Sequence, residues 1–527
     1  MLETIIEKTQ KFIASMPKEK RKGIGQFFTS MQTARFMARL FDVPAKSSLH
    51  ILDAGSGSGI LSTALLERLD DIRSIHTVHL VCYETDENIL PLLNENLSEI
   101  CRQVHFELSY DIRKENYILS QEFAFKGWEE PERYDLSIGN PPYKKIGKDA
   151  PEALAMPEVC HGAPNLYFLF LAMSLFDLQA GGEMVYIVPR SWTSGAYFRA
   201  FRAFLFAHGS LEHLHLFVSR DKVFSSESVL QETMILKVRR GEQTSRVTIS
   251  SSGTSDFSDL RELTMPMETV VSGKEQYVYL VTTEEEAENL RIMQSLPCTL
   301  PEIGFRMKTG LTVDFRERDS LLAEAEDDAV PMFFAQHIRD GRVVHSIGKF
   351  GEWVRRGRPA LLQKNCNYLF VKRFTAKEES RRLQCGIYLA DEFSAYDVIS
   401  TQNKLNFIDE ENHAMTRAEA YGLYTLLNST LYDRFYRILN GSTQVNSTEV
   451  NQMPMPVRKT VERLGEKLEG MKDLSVNVCD ALLEEALFHA EITRGKKDSQ
   501  GHRDAGETAE RYVRPDALGV GASHAAG

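Results

Sequence analysis

A chain of 527 residues is longer than one ordinary domain needs and long enough for two or three. Hydrophobic residues make up 43% and charged residues 26%, which excludes wholesale disorder. The formal net charge of −12 excludes a histone-like basic protein, so any nucleic-acid surface must be a local basic patch on an acidic body.

Residues 1–22 read as a short amphipathic helix followed by a basic tract from Lys18 to Lys22. Between Leu49 and Val238, strand-like and helix-like stretches alternate: His50 to Asp53, Leu61 to Leu69, Val78 to Tyr83, Leu92 to Ile100, Val104 to Leu108, Tyr134 to Ile138, Leu166 to Leu178 and Glu183 to Val188. Two further apolar runs follow, Leu211 to Val218 and Val229 to Val238. This alternation predicts an α/β domain over 23–250, with a mainly parallel sheet covered by helices. The Ser/Gly/Thr-rich stretch from Ser250 to Ser258 predicts a linker, taken as 251–274. Residues 275–460, with scattered glycines and interleaved aromatic and basic side chains, read as a second, mixed α+β domain. A C-terminal helix is expected over 461–494 and a disordered tail over 495–527.

The seven cysteines form no C-x-x-C pair and are odd in number, which indicates neither a zinc ribbon nor a disulfide framework. The N-terminal MLETIIEKTQKF lacks the apolar core of a signal peptide. The longest apolar run, Leu166 to Phe176, falls short of the roughly 20 residues that span a bilayer. A cytoplasmic protein with no membrane segment is the expectation.

Four strand ends carry the chemistry. Asp53-Ala-Gly-Ser-Gly-Ser-Gly59 joins a strand to a helix, and Gly55, Gly57 and Gly59 let the backbone approach a ligand with no Cβ in the way. The helix that follows favours a negatively charged group at its N-terminus, a feature dinucleotide sites share. Glu84, in Tyr83-Glu-Thr-Asp86, stands where a ribose diol is held, while Asp86 suits a helix cap. Asp111 and Ile112 could accept from an adenine amino group and pack on its ring, or be an ordinary strand end. Asn140-Pro-Pro-Tyr143 is the most specific signal. Pro141 and Pro142 fix φ and aim their carbonyls, and Asn140 adds a second acceptor suited to the two hydrogens of an exocyclic amine. Tyr143 supplies a flat face for stacking.

Asn140 to Tyr143 after Asp53 to Gly59 resembles the amino-methyltransferases that use S-adenosylmethionine. Gly25-Gln-Phe-Phe-Thr29 resembles the motif preceding the cofactor loop in N6-adenine DNA methyltransferases of the gamma class. Asn165-Leu-Tyr167, Gly181 to Ser191, Leu427 to Thr430, Gly441 to Asn446 and Met453 to Pro456 are similar to later motifs of the type II modification enzymes of the PstI/BsuBI type, and more loosely of the TaqI type. The resemblance covers roughly residues 20–460. It departs from the family pattern at Ala-Gly-Ser, where Pro-Ala-Cys is common, and at Pro91, early in a helix. It implies a Rossmann-like methyltransferase domain followed by a target-recognition domain, and S-adenosylmethionine held by Thr29, Asp53, Gly55, Gly57, Gly59, Glu84, Asp111 and Ile112. Double-stranded DNA would be the substrate. A flipped adenine would have its amino group held by Asn140 and the Pro141 carbonyl, with Tyr143 on one face and Phe224 on the other.

From Gly341 to Ala390 eleven basic and three acidic residues give a local charge of +8, interleaved with Phe350, Trp353, Tyr368, Phe370 and Phe374. This is the composition of a DNA-facing surface, with Arg355, Arg356, Lys372 and Arg373 as its core. Pro297-Cys298 superficially resembles a cytosine-C5 nucleophile but lacks the context. His213 and His215 lack a third ligand, so no metal is expected. The short stretch before Gly25 leads to the expectation of no nuclease domain there, and a cognate restriction endonuclease would be encoded separately. A methyltransferase acting on RNA amines or protein glutamine is the alternative, as is a non-catalytic DNA-binding module. The large basic second half argues against the first and intact acceptors at Asn140 and Pro141 against the second.

Overall fold

The computed structural model describes residues 1–15, 29–217, 233–254, 256–349, 351–376, 379–440 and 443–487. These fall into two compact units that interleave along the chain. The first holds Met1–Pro297, Phe374–Arg382 and Arg434–Met455; the second holds Cys298–Arg373, Leu383–Asp433 and the described residues from Pro456 onward. The expected linear division at 251–274 is therefore replaced by one near residue 297, with two later segments returning to the first unit.

The first unit is built on a nine-stranded sheet: β1 (Ser48–Ala54), β2 (Thr77–Tyr83), β3 (Glu107–Arg113), β4 (Tyr134–Gly139), β5 (Leu178–Pro189), β6 (Gly209–Phe217), β7 (Thr233–Arg240), β8 (Arg246–Ser252) and β9 (Arg261–Pro266). Their spatial order is β3-β2-β1-β4-β5-β7-β6-β8-β9. The first five pair in parallel, whereas β7 lies antiparallel between β5 and β6. Strands β1, β2 and β4 are apolar because they are covered on both faces, as a parallel sheet requires. Helices α1 (Leu2–Ser15), α2 (Met31–Arg39), α3 (Ile60–Asp70) and α4 (Leu90–Ile100) contribute Leu2, Ile5, Met37, Leu65 and Leu97 to one core with Ile51 and Leu80. Pro91 sits in the first turn of α4, where its missing N–H has no intrahelical partner to lose. Helix α5 (Leu166–Asp177) is almost wholly buried, and the Asn165 side chain caps it by accepting from the Tyr167 N–H at 3.3 Å. Helix α6 (Arg199–His208) leads into β6.

The third strand runs over Glu107–Arg113 rather than Val104 to Leu108, because it is the half-exposed edge of the sheet and carries no continuous apolar run. The serine-rich stretch begins inside strand β8, and the expected linker 251–274 holds strand β9. Ser250, Ser251 and Ser252 are buried in β8, with the Ser250 hydroxyl 2.7 Å from His213 Nε2 and 2.9 Å from His215 Nδ1, while the Ser252 hydroxyl lies 3.2 Å from His215 Nε2. Small polar residues there match two buried imidazoles. Burial pushes these down to about 4 at His213 and about 3 at His215, so both rings are neutral.

The second unit is mixed α+β. A six-stranded sheet has Tyr368–Lys372 near its centre, and a five-stranded sheet carries Trp353–Arg355 and Ala329–Phe333. Helices Arg417–Leu427 and Arg458–Glu469 pack backbone to backbone: a Cβ on Gly465 would stand 1.6 Å from the Ala418 carbonyl oxygen. The single helix expected over 461–494 instead stops at Gly470 and resumes over 476–487. The expected tail, 495–527, lies outside the described residues.

In the first unit Lys237, 5% exposed, sits among Asp42, Glu183 and Glu212 at 2.5, 3.2 and 3.1 Å, with Arg239 bridging the same carboxylates. Removing the ammonium leaves the buried Glu183 undercompensated. Lys237→Met is therefore expected to cost about 3 kcal/mol, near the low end for a broken buried pair because Arg239 remains. Urea unfolding checks this, and an unchanged midpoint would place the cluster among solvated pairs.

Candidate active site

Strands β1, β2 and β3 end in step, with Ala54 opposite Tyr83 and Tyr83 opposite Arg113, and β4 ends alongside. The loops that leave them surround a cavity of about 420 Å³ at the carboxyl edge of the sheet. Of the residues singled out from sequence, Thr29, Gly55, Gly57, Glu84, Asn140, Pro141 and Pro142 line it. Ligands bind at such an edge where the strand order reverses, here between β1 and β4.

The glycine loop is pinned to the end of β2 by the Gly55 and Ser56 N–H groups, which donate to the Tyr83 carbonyl at 2.9 and 3.0 Å. Gly55, Gly57 and Gly59 have φ of 90°, 57° and 82°, the left-handed region that glycine enters without strain. Glu84 ties two loops together: its Oε2 accepts from the Gly57 N–H at 2.9 Å and its Oε1 from the Asp86 N–H at 2.7 Å. Burial raises its carboxyl above the usual range, and these backbone donors pull the other way. Asp53 is 1% exposed and stands behind the loop, accepting from the Ser62 hydroxyl; burial pushes it up to about 7. Gly59 caps α3, and neither it nor Asp53 is on the cavity wall.

At the end of β4, a Cβ on Gly139 would meet the Tyr186 ring at 2.5 Å, so only glycine lets the strand run on to Asn140. Asn140 Nδ2 donates to the Thr29 hydroxyl at 3.3 Å. The Tyr143 hydroxyl is 2.9 Å from Asn140 Oδ1 and 3.0 Å from the Ile187 carbonyl. Tyr143 meets Tyr167 edge to face at 6.2 Å, and the Tyr167 hydroxyl lies 3.2 Å from Ser191 Oγ. The hydroxyl of Tyr143 thus orients the amide oxygen, a role that a stacking ring alone does not reveal.

Asp111 and Ile112 are not on the cavity wall. Asp111 accepts from Arg113 Nε at 2.8 Å, two residues before the strand ends. Glu115 and Tyr117 line the cavity instead, with Phe170 of α5. The signal that finds Glu115 is its place just beyond the third strand, which is visible once the strand is phased to Glu107–Arg113. Phe224 lies outside the described residues.

In the second unit three arginines of the basic run are paired with carboxylates. Arg355 lies 3.5 Å from Glu326, Arg358 lies 2.7 Å from Glu317, and Arg356 pairs with Asp397. Lys372 donates to Gln384 Oε1 at 2.7 Å and Arg373 to the Asn403 carbonyl at 2.7 Å. Tyr368 and Phe370, expected among the interleaved aromatics of a binding face, are buried in the core of the six-stranded sheet. Two groups of potential metal ligands occur among the described residues, but protein donors already engage their carboxylates. Lys237 and Arg239 hold Asp42, Glu183 and Glu212, and Arg113 and Tyr134 hold Glu132 beside His50 and His79.

The family model for the Eco57I restriction-modification methylase matches residues 70–224. The type II methyltransferase M.BsuBI of Bacillus subtilis is 33% identical over 93% of this chain and 98% of its own length. M.PstI of Providencia stuartii is 32% identical over 86% of this chain and 91% of its own. Among solved structures, the type IIL restriction-modification enzyme MmeI in complex with DNA has the same fold, with a TM-score of 0.51, 10% identity, and coverage of 92% of this chain and 73% of that one. The chain therefore belongs to the type II DNA methyltransferases of restriction-modification systems, whose methyl donor is S-adenosylmethionine.

Proposed function

We propose that the chain methylates the N6 amino group of adenine at one specific sequence in double-stranded DNA, and so protects that sequence from a separately encoded endonuclease. The observation that carries this is the Asn140 amide, held at the cavity wall by Thr29 and Tyr143 beside the rigid Pro141 carbonyl. Two acceptors match the two hydrogens of an exocyclic amine. Cytosine-C5 chemistry would need a thiolate, and no cysteine is among the residues lining the cavity; Cys298 belongs to the second unit. No described helix is long and apolar enough to cross a membrane.

The cavity suits the cofactor. Ser58 Oγ and Asp86 Oδ2 are buried there without a hydrogen-bond partner among the described residues, as is Asp53 Oδ1 just behind, so polar ligand groups would be met. S-Adenosylmethionine supplies an activated methyl group when bound. Glu84 would accept from its ribose hydroxyls, Gly55 and Gly57 would let it approach the backbone, and Glu115 would take the adenine contact expected of Asp111. Asp53 and Gly59 would act by shaping the loop. Asn140 and Pro141 would localise the amine lone pair toward the methyl group, with catalysis resting on positioning and electrostatics. In the second unit, the exposed Arg355 and half-buried Arg356 would meet DNA by exchanging carboxylate partners for phosphate or base edges, with Lys372 held by the Gln384 side chain and Arg373 by the Asn403 carbonyl.

Long-read sequencing of DNA from cells expressing the protein is expected to show N6-methyladenine at a single sequence; N4-methylcytosine, or no modification, would refute the assignment. Asn140→Ala should abolish methyl transfer while leaving cofactor and DNA affinities near normal. Tyr143→Phe should lower kcat about fivefold, since the ring is kept and one hydrogen bond to Asn140 is lost. Calorimetry should find S-adenosylmethionine binding weakened in Glu84→Ala and Glu115→Ala and nearly unchanged in Asp111→Ala. The reverse order would return the adenine contact to Asp111.

A further inference from the structure

The segment between β5 and α6 is held with unusual force for a surface turn. Arg202 of α6 is 0% exposed and donates to the carbonyls of Trp192, Gly195 and Glu275, each at 2.9 Å. Its guanidinium lies over the Tyr277 ring, and burial lowers its pKa to about 10. Ser194 adds a buried bond to Glu449 at 3.0 Å. Taking a cation out of water is costly, and here two of its hydrogen bonds go to the backbone of one turn and the third ties that turn to the Glu275 carbonyl. Gly195 is packed closely in that turn: a Cβ there would stand 2.9 Å from the Phe198 ring.

The outward product of this rigidity is Tyr197, 60% exposed. Its neighbour Phe198 packs on Tyr167, which meets the catalytic-motif Tyr143. Lys145, two residues after Tyr143, places its ammonium 5.6 Å from the Tyr197 ring centroid. Lys145 is itself fixed: its segment bridges to Asn165, with the Ile146 N–H donating to Pro164 at 2.9 Å and the Leu166 N–H to Lys144 at 2.8 Å. An exposed aromatic and an exposed ammonium are thus held together beside the catalytic motif, on two braced segments of one unit.

We propose that Tyr197 and Lys145 form a contact for the DNA strand that carries the target base, Tyr197 stacking on a base left without its neighbour when the target leaves the helix and Lys145 neutralising an adjacent phosphate. Rotating a base out of the duplex removes a stacking surface, and an aromatic ring at the site replaces it. The ammonium near the ring supplies the charge that a backbone contact requires. This inference rests on the reading that a base is flipped toward Asn140, and it concerns residues outside the cofactor cavity.

The test uses the full chain and a duplex containing the sequence identified by long-read sequencing. Tyr197→Ala should lower methylation of the paired duplex about 10-fold or more, with S-adenosylmethionine affinity unchanged, and Tyr197→Phe should restore it. On a duplex whose target adenine is already mispaired, the Tyr197→Ala loss should shrink to less than about threefold, because part of the unstacking cost is removed. Lys145→Ala should reduce the magnitude of the slope of log K against log salt by about 0.9. Normal activity in Tyr197→Ala, an equal loss in Tyr197→Phe, an undiminished loss on the mispaired duplex, or an unchanged salt slope would each overturn the proposed contact. Wild-type protein that makes no N6-methyladenine refutes the underlying reading; wild-type methylation with an unaffected Tyr197→Ala refutes the rim contact alone.

Discussion

The common ending of four parallel strands is the constraint on which the site depends. Ala54, Tyr83 and Arg113 are register partners, and the pairing of Leu52 with Ser137 carries Gly139 to the same level. Every loop that leaves this edge starts from a fixed height, and the chain order reverses between β1 and β4, opening a crevice there. Glu84 then converts proximity into a defined surface by bonding to the backbone of its own loop and of the glycine loop. The Gly139–Tyr186 approach sets how β4 delivers Asn140.

Apart from Glu84 on the cavity wall, several buried charged groups of this unit brace turns and strand ends. Arg202 holds three backbone carbonyls, and Lys237 gathers three carboxylates. Asp53 lies behind the glycine loop and bonds to Ser62 in the following helix. Such groups cost desolvation that only good hydrogen-bond geometry offsets.

Much of this was legible in the sequence because β1, β2 and β4 are covered on both faces and read as continuous apolar runs, each ending in a chemically distinctive loop. The edge strand β3 was not, since half-exposed polar alternation hides its phase, and the misphasing leads to Asp111, off the cavity wall, and past Glu115, which lines it. Composition also misled where tertiary partners decide. Ser250 and Ser252 are imidazole partners in a strand, Tyr368 and Phe370 are core, and the acids that compensate Arg355, Arg356 and Arg358 come from segments distant in sequence. The hydroxyl of Tyr143 and the bracing of Tyr197 by Arg202 require coordinates, because neither pair has a characteristic spacing.

In the proposed reaction the amine to be methylated is held by Asn140 and Pro141 at the mouth of the cavity that holds the cofactor. The most direct measurement is a crystal structure of the protein with a non-reactive S-adenosylmethionine analogue and a duplex bearing its recognition sequence. An extruded adenine stacked on Tyr143 is expected, with N6 within hydrogen-bond distance of Asn140 Oδ1 and the Pro141 carbonyl, and the analogue's ribose on Glu84. A target base elsewhere, or an amine bonded to other groups while Asn140 stays with Tyr143 and Thr29, would contradict it.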